Sequence, residues 1–248
     1  MLNRYLELMD KLDGLAALPL FLATRAAVRA KVEAARARQV RGDADLGWPS
    51  GNYLALALGL LAAESPRLIG IGGLSGTGKT TLARHLAPWY GGAPGAVIVR
   101  SDVVRKQLAG VAETTRLPPE AYTPAMAGRV YEAVFDRARR ALSAGHAVIA
   151  DAVFADPGER DALEILARTL NVPFAGLWLE TDPKELLARI AARHRDASDA
   201  TATVVQQQFQ YDLGRLTWQR LDVSDPLDDV MTAARLALAE RHGQGAGV

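Results

Sequence analysis

The sequence predicts an α/β protein built on one doubly wound parallel β-sheet, and three observations carry that prediction. From Pro66 onward, short β-like runs alternate with amphipathic helical stretches. A glycine-rich turn of fixed spacing, residues 73–80, links the first run to a helix. The 248 residues include 49% apolar and 23% charged side chains, the balance of a chain with a sizeable core. That composition excludes global disorder, a collagen-like fibre and a coiled-coil rod.

Taken in order, residues 2–41 have helical spacing, with Phe21, Val28, Val32 and Ala35 on one face and Pro19 dividing two helices. The second helix carries Arg25, Arg29, Lys31, Arg36 and Arg38 against Glu33. It reads as a solvated face, because no aromatic residues interleave for base stacking. Residues 41–51 are rich in Gly, Asp, Pro and Ser and form a joint. The expected division is an N-terminal helical segment over 1–51, a main domain over 52–242 and a frayed tail over 243–248. Residues 52–63 read as a buried helix against the main core; their apolar stretch is far short of the roughly 20 residues that span a bilayer. Strands are expected at 67–72, 96–101, 147–152, 174–181 and 218–223.

The chain has no cysteine, which removes disulfides, zinc–thiolate sites and thiol nucleophiles. Its four histidines have no metal-ligand spacing. Twenty-nine Lys and Arg face 28 Asp and Glu, so a net charge of +1 points to neither a nucleic acid nor a membrane surface as partner. The N-terminus has no apolar run of signal-peptide type, and the expected compartment is the cytoplasm.

Gly73-Leu74-Ser75-Gly76-Thr77-Gly78-Lys79-Thr80 satisfies G-x-x-x-x-G-K-[ST] at every fixed position. Glycines let backbone N–H groups turn toward phosphate oxygens, and the following helix N-terminus adds partial positive charge. Gly73, Ser75, Gly76, Thr77, Gly78, Lys79, Thr80 and Thr81 are therefore the candidate nucleotide-binding residues. Lys79 would reach the β- and γ-phosphates of ATP, and the Thr80 hydroxyl would ligate Mg²⁺. No Asn-Lys-x-Asp is present to read guanine. The run Ala147-Val148-Ile149-Ala150-Asp151 is followed by Ala152, where motor-type ATPases place a water-activating glutamate. Transfer to a hydroxyl is therefore favoured over hydrolysis.

Val97-Ile98-Val99-Arg100-Ser101-Asp102 reads as a strand ending in a carboxylate, and ligands in open α/β sheets bind at such strand ends. Asp102 is positioned to take a proton from an attacking hydroxyl, with Arg105 one helical turn on. A helix N-cap is the other reading of Asp102, and the two are compatible.

These residues carry a family resemblance. The 73–80 turn, Ser101-Asp102-Val103-Val104-Arg105, and Ala150-Asp151-Ala152-Val153-Phe154 with Arg160 downstream resemble the P-loop kinases grouped with zeta toxin, chloramphenicol phosphotransferase, gluconate kinase and polynucleotide kinase. The resemblance spans about 66–240. It implies a five-stranded sheet of order 2-3-1-4-5 with helices on both faces, Mg·ATP as donor, Asp102 as catalytic base and a mobile arginine-bearing lid. Asp182-Pro183-Lys184-Glu185 combines an N-cap, a first-turn proline and an acid, so a helix starts there. With a lid at about 182–203, Arg189 and Arg193 join Lys79 and Asp102 as catalytic candidates, and Arg195 joins the nucleotide-binding set. Asp151 either holds Mg²⁺ through water or orients its loop. Arg105, Tyr122 and Arg160 are the substrate-side candidates, and residues 221–226 the loop around adenine.

The N-terminal segment resembles, over roughly 1–51, the last helices of an aminoglycoside-phosphotransferase-like domain. The catalytic residues of that fold have no place in this segment, so a structural remnant or a plain helical cap is expected. The resulting reading is an ATP-dependent kinase for a small hydroxyl-bearing molecule. Its alternatives are a kinase of nucleic-acid ends and a nucleotide-binding regulatory module with slow hydrolysis.

Overall fold

Five strands, β1 (Leu68–Gly73), β2 (Val97–Arg100), β3 (Val148–Asp151), β4 (Phe174–Glu180) and β5 (Gln219–Asp222), form one all-parallel sheet in the order β2-β3-β1-β4-β5. They coincide with the five predicted runs. The structure, a computed structural model, describes residues 1–39, 50–62, 65–191 and 198–243. The helices are α1 (Leu2–Met9), α2 (Leu18–Gln39), α3 (Ser50–Leu61), α4 (Lys79–Leu86), α5 (Ser101–Leu108), α6 (Pro124–Ser143), α7 (Pro157–Thr169), α8 (Pro183–Ala191), α9 (Ala202–Gln208) and α10 (Leu227–Gly243).

The strand sequences are near-continuous apolar runs because both faces of the sheet are covered. On one face Ile69, Ile71, Ile149 and Leu177 meet Leu82 and Leu86 of α4 and Val230, Ala234 and Leu238 of α10. On the other, Leu68, Val148 and Trp178 meet α6 and α7 through Val130, Val134, Leu163 and Ala167. Trp218 lies flat on this second face, where the sheet offers glycine: a Cβ at Gly176 would sit 2.4 Å from the indole. The Trp218 Nε1–H donates to Glu164 at 3.0 Å.

Helix starts follow local chemistry. Thr123 accepts from the Met126 N–H ahead of α6, and Asp156 from the Gly158 N–H ahead of α7, each followed by proline. At α8, Asp182 accepts from the Lys184 N–H at 2.8 Å, as its sequence predicts.

The N-terminal segment divides in two. Helix α1 lies against β2, the sheet's edge strand. There the Asn3 amide donates to Ala96 O at 3.0 Å and accepts from Ile98 N–H at 2.8 Å, completing the edge as a neighbouring strand would. Gln107 donates to Glu7 O at 2.7 Å, Arg137 pairs with Asp10 at 2.8 Å, and a His146 ring nitrogen meets Leu15 O at 2.9 Å. The break after α1 falls at Asp10, which has φ 49°, and Pro19 opens the first turn of α2 instead of dividing two helices.

Helix α3 departs from expectation. It packs along α2, and the buried positions of the pair are the small residues Ala23, Ala26 and Ala57. Phe21, Val28, Leu54, Leu58 and Leu61 face outward. Alanine lets two helix backbones approach closely and turns the larger side chains away, so residues 52–61 are not a buried core helix. Among the described residues no helix is long and apolar enough to cross a membrane.

Candidate active site

Parallel pairing places Ile71 beside Asp151 and Asp151 beside Arg100, so β1, β2 and β3 end at one edge of the sheet. A cleft of about 380 Å³ opens there. Its floor is the 73–80 turn. Gly73 (φ 139°) must be glycine, since a Cβ would lie 2.6 Å from Leu179 O. At Gly76 (φ 95°) the space a Cβ would take is bounded by Ile190 of α8 at 3.0 Å, so α8 rests directly on the turn.

Helix α4 begins at Lys79 with no side-chain cap and no acidic residue in its first turn. Its first N–H groups and its positive dipole end therefore face the cleft uncompensated. Ser75, Gly76, Gly78, Lys79, Thr80 and Thr81 line the cleft, while Gly73 and Thr77 lie beneath it. Thr77 Oγ1 and Lys79 Nζ both donate to Leu74 O, each at 2.9 Å.

Thr80 Oγ1 donates to Asp151 Oδ2 at 2.5 Å. Burial pushes the Asp151 carboxyl up from its ordinary value, against the pull of Lys79, the Thr80 hydroxyl and Arg100. A hydroxyl and a carboxylate in phosphate reach are hard oxygen donors, the set that suits Mg²⁺ held jointly with substrate phosphates. Among the described residues no cluster of three or more His, Cys, Asp or Glu could hold a metal by itself.

Asp102 lines the same cleft, in the first turn of α5. Arg100 is the residue before that helix and no side chain caps it, so Asp102 is not acting as an N-cap. Its carboxylate has no hydrogen-bond partner among the described residues.

The other predicted residues are placed elsewhere. Arg105 donates to Ala121 O at 2.9 Å and stacks on Tyr122, 4.9 Å from the ring centre. Tyr122 donates to Asp199 at 2.5 Å, and burial with that carboxylate raises its phenol well above the usual range. Arg160 is 1% exposed and donates to Phe154 O and Ala155 O at 2.7 and 2.8 Å and to Leu213 O, tying two loops together. None of the three lines the cleft. Arg189 is held by Glu185 and by Val223 O, beside the loop expected around adenine. Arg193 and Arg195 lie outside the described residues, as does the tail from 244.

Several lining residues were not predicted. Arg100 is 2% exposed and sits among Glu7 at 3.4 Å, Glu113 at 3.1 Å and Asp151 at 3.7 Å. Arg4 reaches the cleft from α1 and pairs with Glu113 and Glu7; Arg84, one turn beyond Thr80 on α4, lines it as well. Gln208 of α9, buried, accepts from Ser75 N–H at 2.8 Å and donates to Ser75 Oγ at 3.1 Å. Asp199, within the segment expected to form a lid, accepts from Lys106, Tyr122 and Leu117 N–H. Burial alone would raise this carboxyl, but those donors hold it below its ordinary value. Only the Thr80–Arg84 spacing of four was readable in advance.

The family model described as "AAA domain" matches residues 68–212, from β1 through α9. The chain belongs to this family. It is 32% identical over 214 residues to uncharacterized proteins of Mycobacterium tuberculosis H37Rv and Mycobacterium bovis, covering 83% of this chain and 41% of each relative. The chain thus spans about two fifths of the length of the curated relatives it matches. Among solved structures it is similar to a gluconokinase from Sinorhizobium meliloti 1021, with TM-score 0.52 and 21% identity over 71% of this chain and 94% of that one. It is also similar to a sugar kinase from Janibacter sp. HTCC2649, with TM-score 0.51 and 20% identity over 70% and 95%. A third is the APS kinase CysC of Mycobacterium tuberculosis in complex with AMPPNP and APS, with TM-score 0.50 and 18% identity over 71% and 98%. At these identities the likeness establishes a P-loop kinase fold.

Proposed function

We propose that this chain is an ATP-dependent phosphotransferase that moves the γ-phosphoryl group of ATP to a hydroxyl of a small molecule. The observation that carries the reading is Asp102: a carboxylate without a hydrogen-bond partner among the described residues, in one cleft with Lys79 and the uncapped start of α4. The 73–80 turn presents its N–H groups to the phosphates, and Lys79 exchanges Leu74 O for phosphate oxygen. Asp102 accepts the hydroxyl proton as that oxygen bonds to the γ-phosphorus. The bond from that phosphorus to the β–γ bridging oxygen breaks, and ADP leaves with the electron pair. Thr80 and Asp151 would hold Mg²⁺, which supplies charge neutralisation on the phosphates. Arg189 would complete the site on lid closure by leaving Glu185 and Val223 O for the transferring group. The gluconokinase, sugar kinase and APS kinase neighbours support a small-molecule acceptor over a nucleic-acid end.

The test is ADP release from Mg·ATP with and without a pool of small hydroxyl compounds. Acceptor-stimulated release should fall at least about a hundredfold in both Lys79→Ala and Asp102→Asn. Asp102→Asn should keep its nucleotide affinity, while Lys79→Ala loses it. Tight ATP binding with no acceptor stimulation would instead mark a regulatory nucleotide-binding module.

A further inference from the structure

Four cations, Arg4, Lys79, Arg84 and Arg100, line the cleft with three carboxylates, Asp102, Glu113 and Asp151. Two of the cations are committed. Arg100 is enclosed by Glu7, Glu113 and Asp151, and Lys79 belongs to the phosphate cradle. The accessible pair is Arg4 and Arg84, which come from different walls.

Arg84 is exposed and has no hydrogen bond or ion pair among the described residues. It stands one turn beyond Thr80, on the face of α4 that looks toward Asp151 and away from the turn's glycines. Arg4 spends Nη1 on both Glu7 and Glu113, and its remaining guanidinium nitrogens have no partner among the described residues. Its side chain is 55% exposed. A chain of contacts runs from Arg4 through Glu113, Arg100 and Asp151 to Thr80, so Arg4 is tied to the turn only through intervening side chains.

The position of Arg4 is built into the fold. Asn3 next to it is locked to β2 by two hydrogen bonds, and Gln107 holds the carbonyl of Glu7 one turn on. Arg4 also lies outside the residues 68–212 that define the family match, so its placement is a property of this chain's own N-terminal helix.

We propose that the acceptor of this enzyme carries an anionic group, a carboxylate or a phosphate ester, and that Arg4 and Arg84 hold it while its hydroxyl faces Asp102. The inference rests on the kinase reading above and names the substrate class of that site. Guanidinium forks with free N–H edges bind carboxylate or phosphate oxygens in pairs, a geometry that uncharged polyols cannot satisfy. Fixing the anion between these two walls would orient the hydroxyl toward Asp102, and a misplacement there costs rate.

The test uses matched probes on the full chain saturated with Mg·AMPPNP, with binding read by calorimetry: gluconate against sorbitol, and glycerol 3-phosphate against glycerol. The charged member of at least one pair should bind about tenfold or more tighter than its neutral partner, and the pair that responds separates carboxylate from phosphate recognition. Arg4→Ala and Arg84→Ala should each cut that preference several-fold, and Arg4→Lys should restore it in part. Retained Mg·AMPPNP binding confirms that each variant is folded. Equal binding within both pairs, no binding of any probe, or a preference untouched by both alanine variants would overturn the proposal. ADP release driven by a neutral polyol would overturn it and leave the kinase reading intact. Tight anion binding with no turnover would uphold the anion site and count against the kinase reading.

Discussion

The two halves of the cleft are built in opposite ways. The nucleotide half is almost entirely one stretch of chain: eight consecutive residues turn back on themselves between β1 and α4, with their strain absorbed by glycines. The half proposed for the acceptor is assembled from Arg4, Arg84, Arg100, Asp102 and Glu113, which lie on four separate segments, and Arg4 joins it through the docking of α1 on the sheet edge. A contiguous site keeps its shape through local geometry. An assembled one depends on every contact that docks its pieces.

Replacing the edge contact should separate the two halves most strongly. Asn3→Leu removes two hydrogen bonds and leaves Ala96 O and Ile98 N–H unpaired at a part-buried edge, a loss of about 2 kcal/mol. Thermal denaturation should show a midpoint lower by roughly 5 °C. Titration with Mg·ATP should find nucleotide affinity within about twofold of the parent. An equal loss of nucleotide affinity would break the distinction.

The reverse experiment addresses a long-range prop of the nucleotide half. Gln208→Ala deprives Ser75 of two hydrogen bonds from one side chain, so Mg·ATP should bind about fivefold more weakly, near 1 kcal/mol. An unchanged affinity would mean that the turn holds itself.

The smallest expected effect is a pH dependence away from the cleft, in the first turn of α7. Glu159 is pushed up to about 7 chiefly by burial, and it hydrogen bonds with Tyr131, whose hydroxyl also accepts from Phe154 N–H at 3.0 Å. The folded chain keeps a proton that the unfolded chain releases near pH 4.5, so unfolding releases that proton between about pH 4.5 and 7. Stability should therefore decline as pH rises through that window, by on the order of 1 kcal/mol, and level off above it. In Glu159→Gln, denaturant titrations at pH 5 and 8 should lose this difference.

The same contrast explains what the sequence made legible. The five strands and the 73–80 turn were readable because apolar runs, glycines and a Lys-Thr pair are local signals, whereas the strand order came from the family resemblance. Asp102 was singled out as the end of a strand; β2 stops at Arg100 and Asp102 lies in the first turn of α5, yet it lines the cleft. Arg4, Glu113 and Gln208 were not readable, since nothing near residue 4 says that a helix will lie on β2, and Gln208 meets Ser75 across 133 residues. Tyr122 and Arg105 were substrate-side candidates, yet they bond to Asp199 and Ala121 O. Residue type alone does not say whether a polar side chain will be spent on the scaffold. Helix α3 misled for a related reason: its leucines gave the apolar signal of a buried helix, but alanines made the contact.

The amide of Asn3 has a consequence beyond the cleft. An unpaired edge strand is a template on which another chain can add, and β2, with the apolar run Val97-Ile98-Val99, is the more hazardous of this sheet's two edges. The opposite edge, β5, defends itself with exposed Gln219, Arg220 and Asp222. β2 has no exposed charge of its own, and the Asn3 side chain of α1 takes up the hydrogen-bonding groups of Ala96 and Ile98 there. The N-terminal helix is thus a guard against self-association as well as a wall of the site.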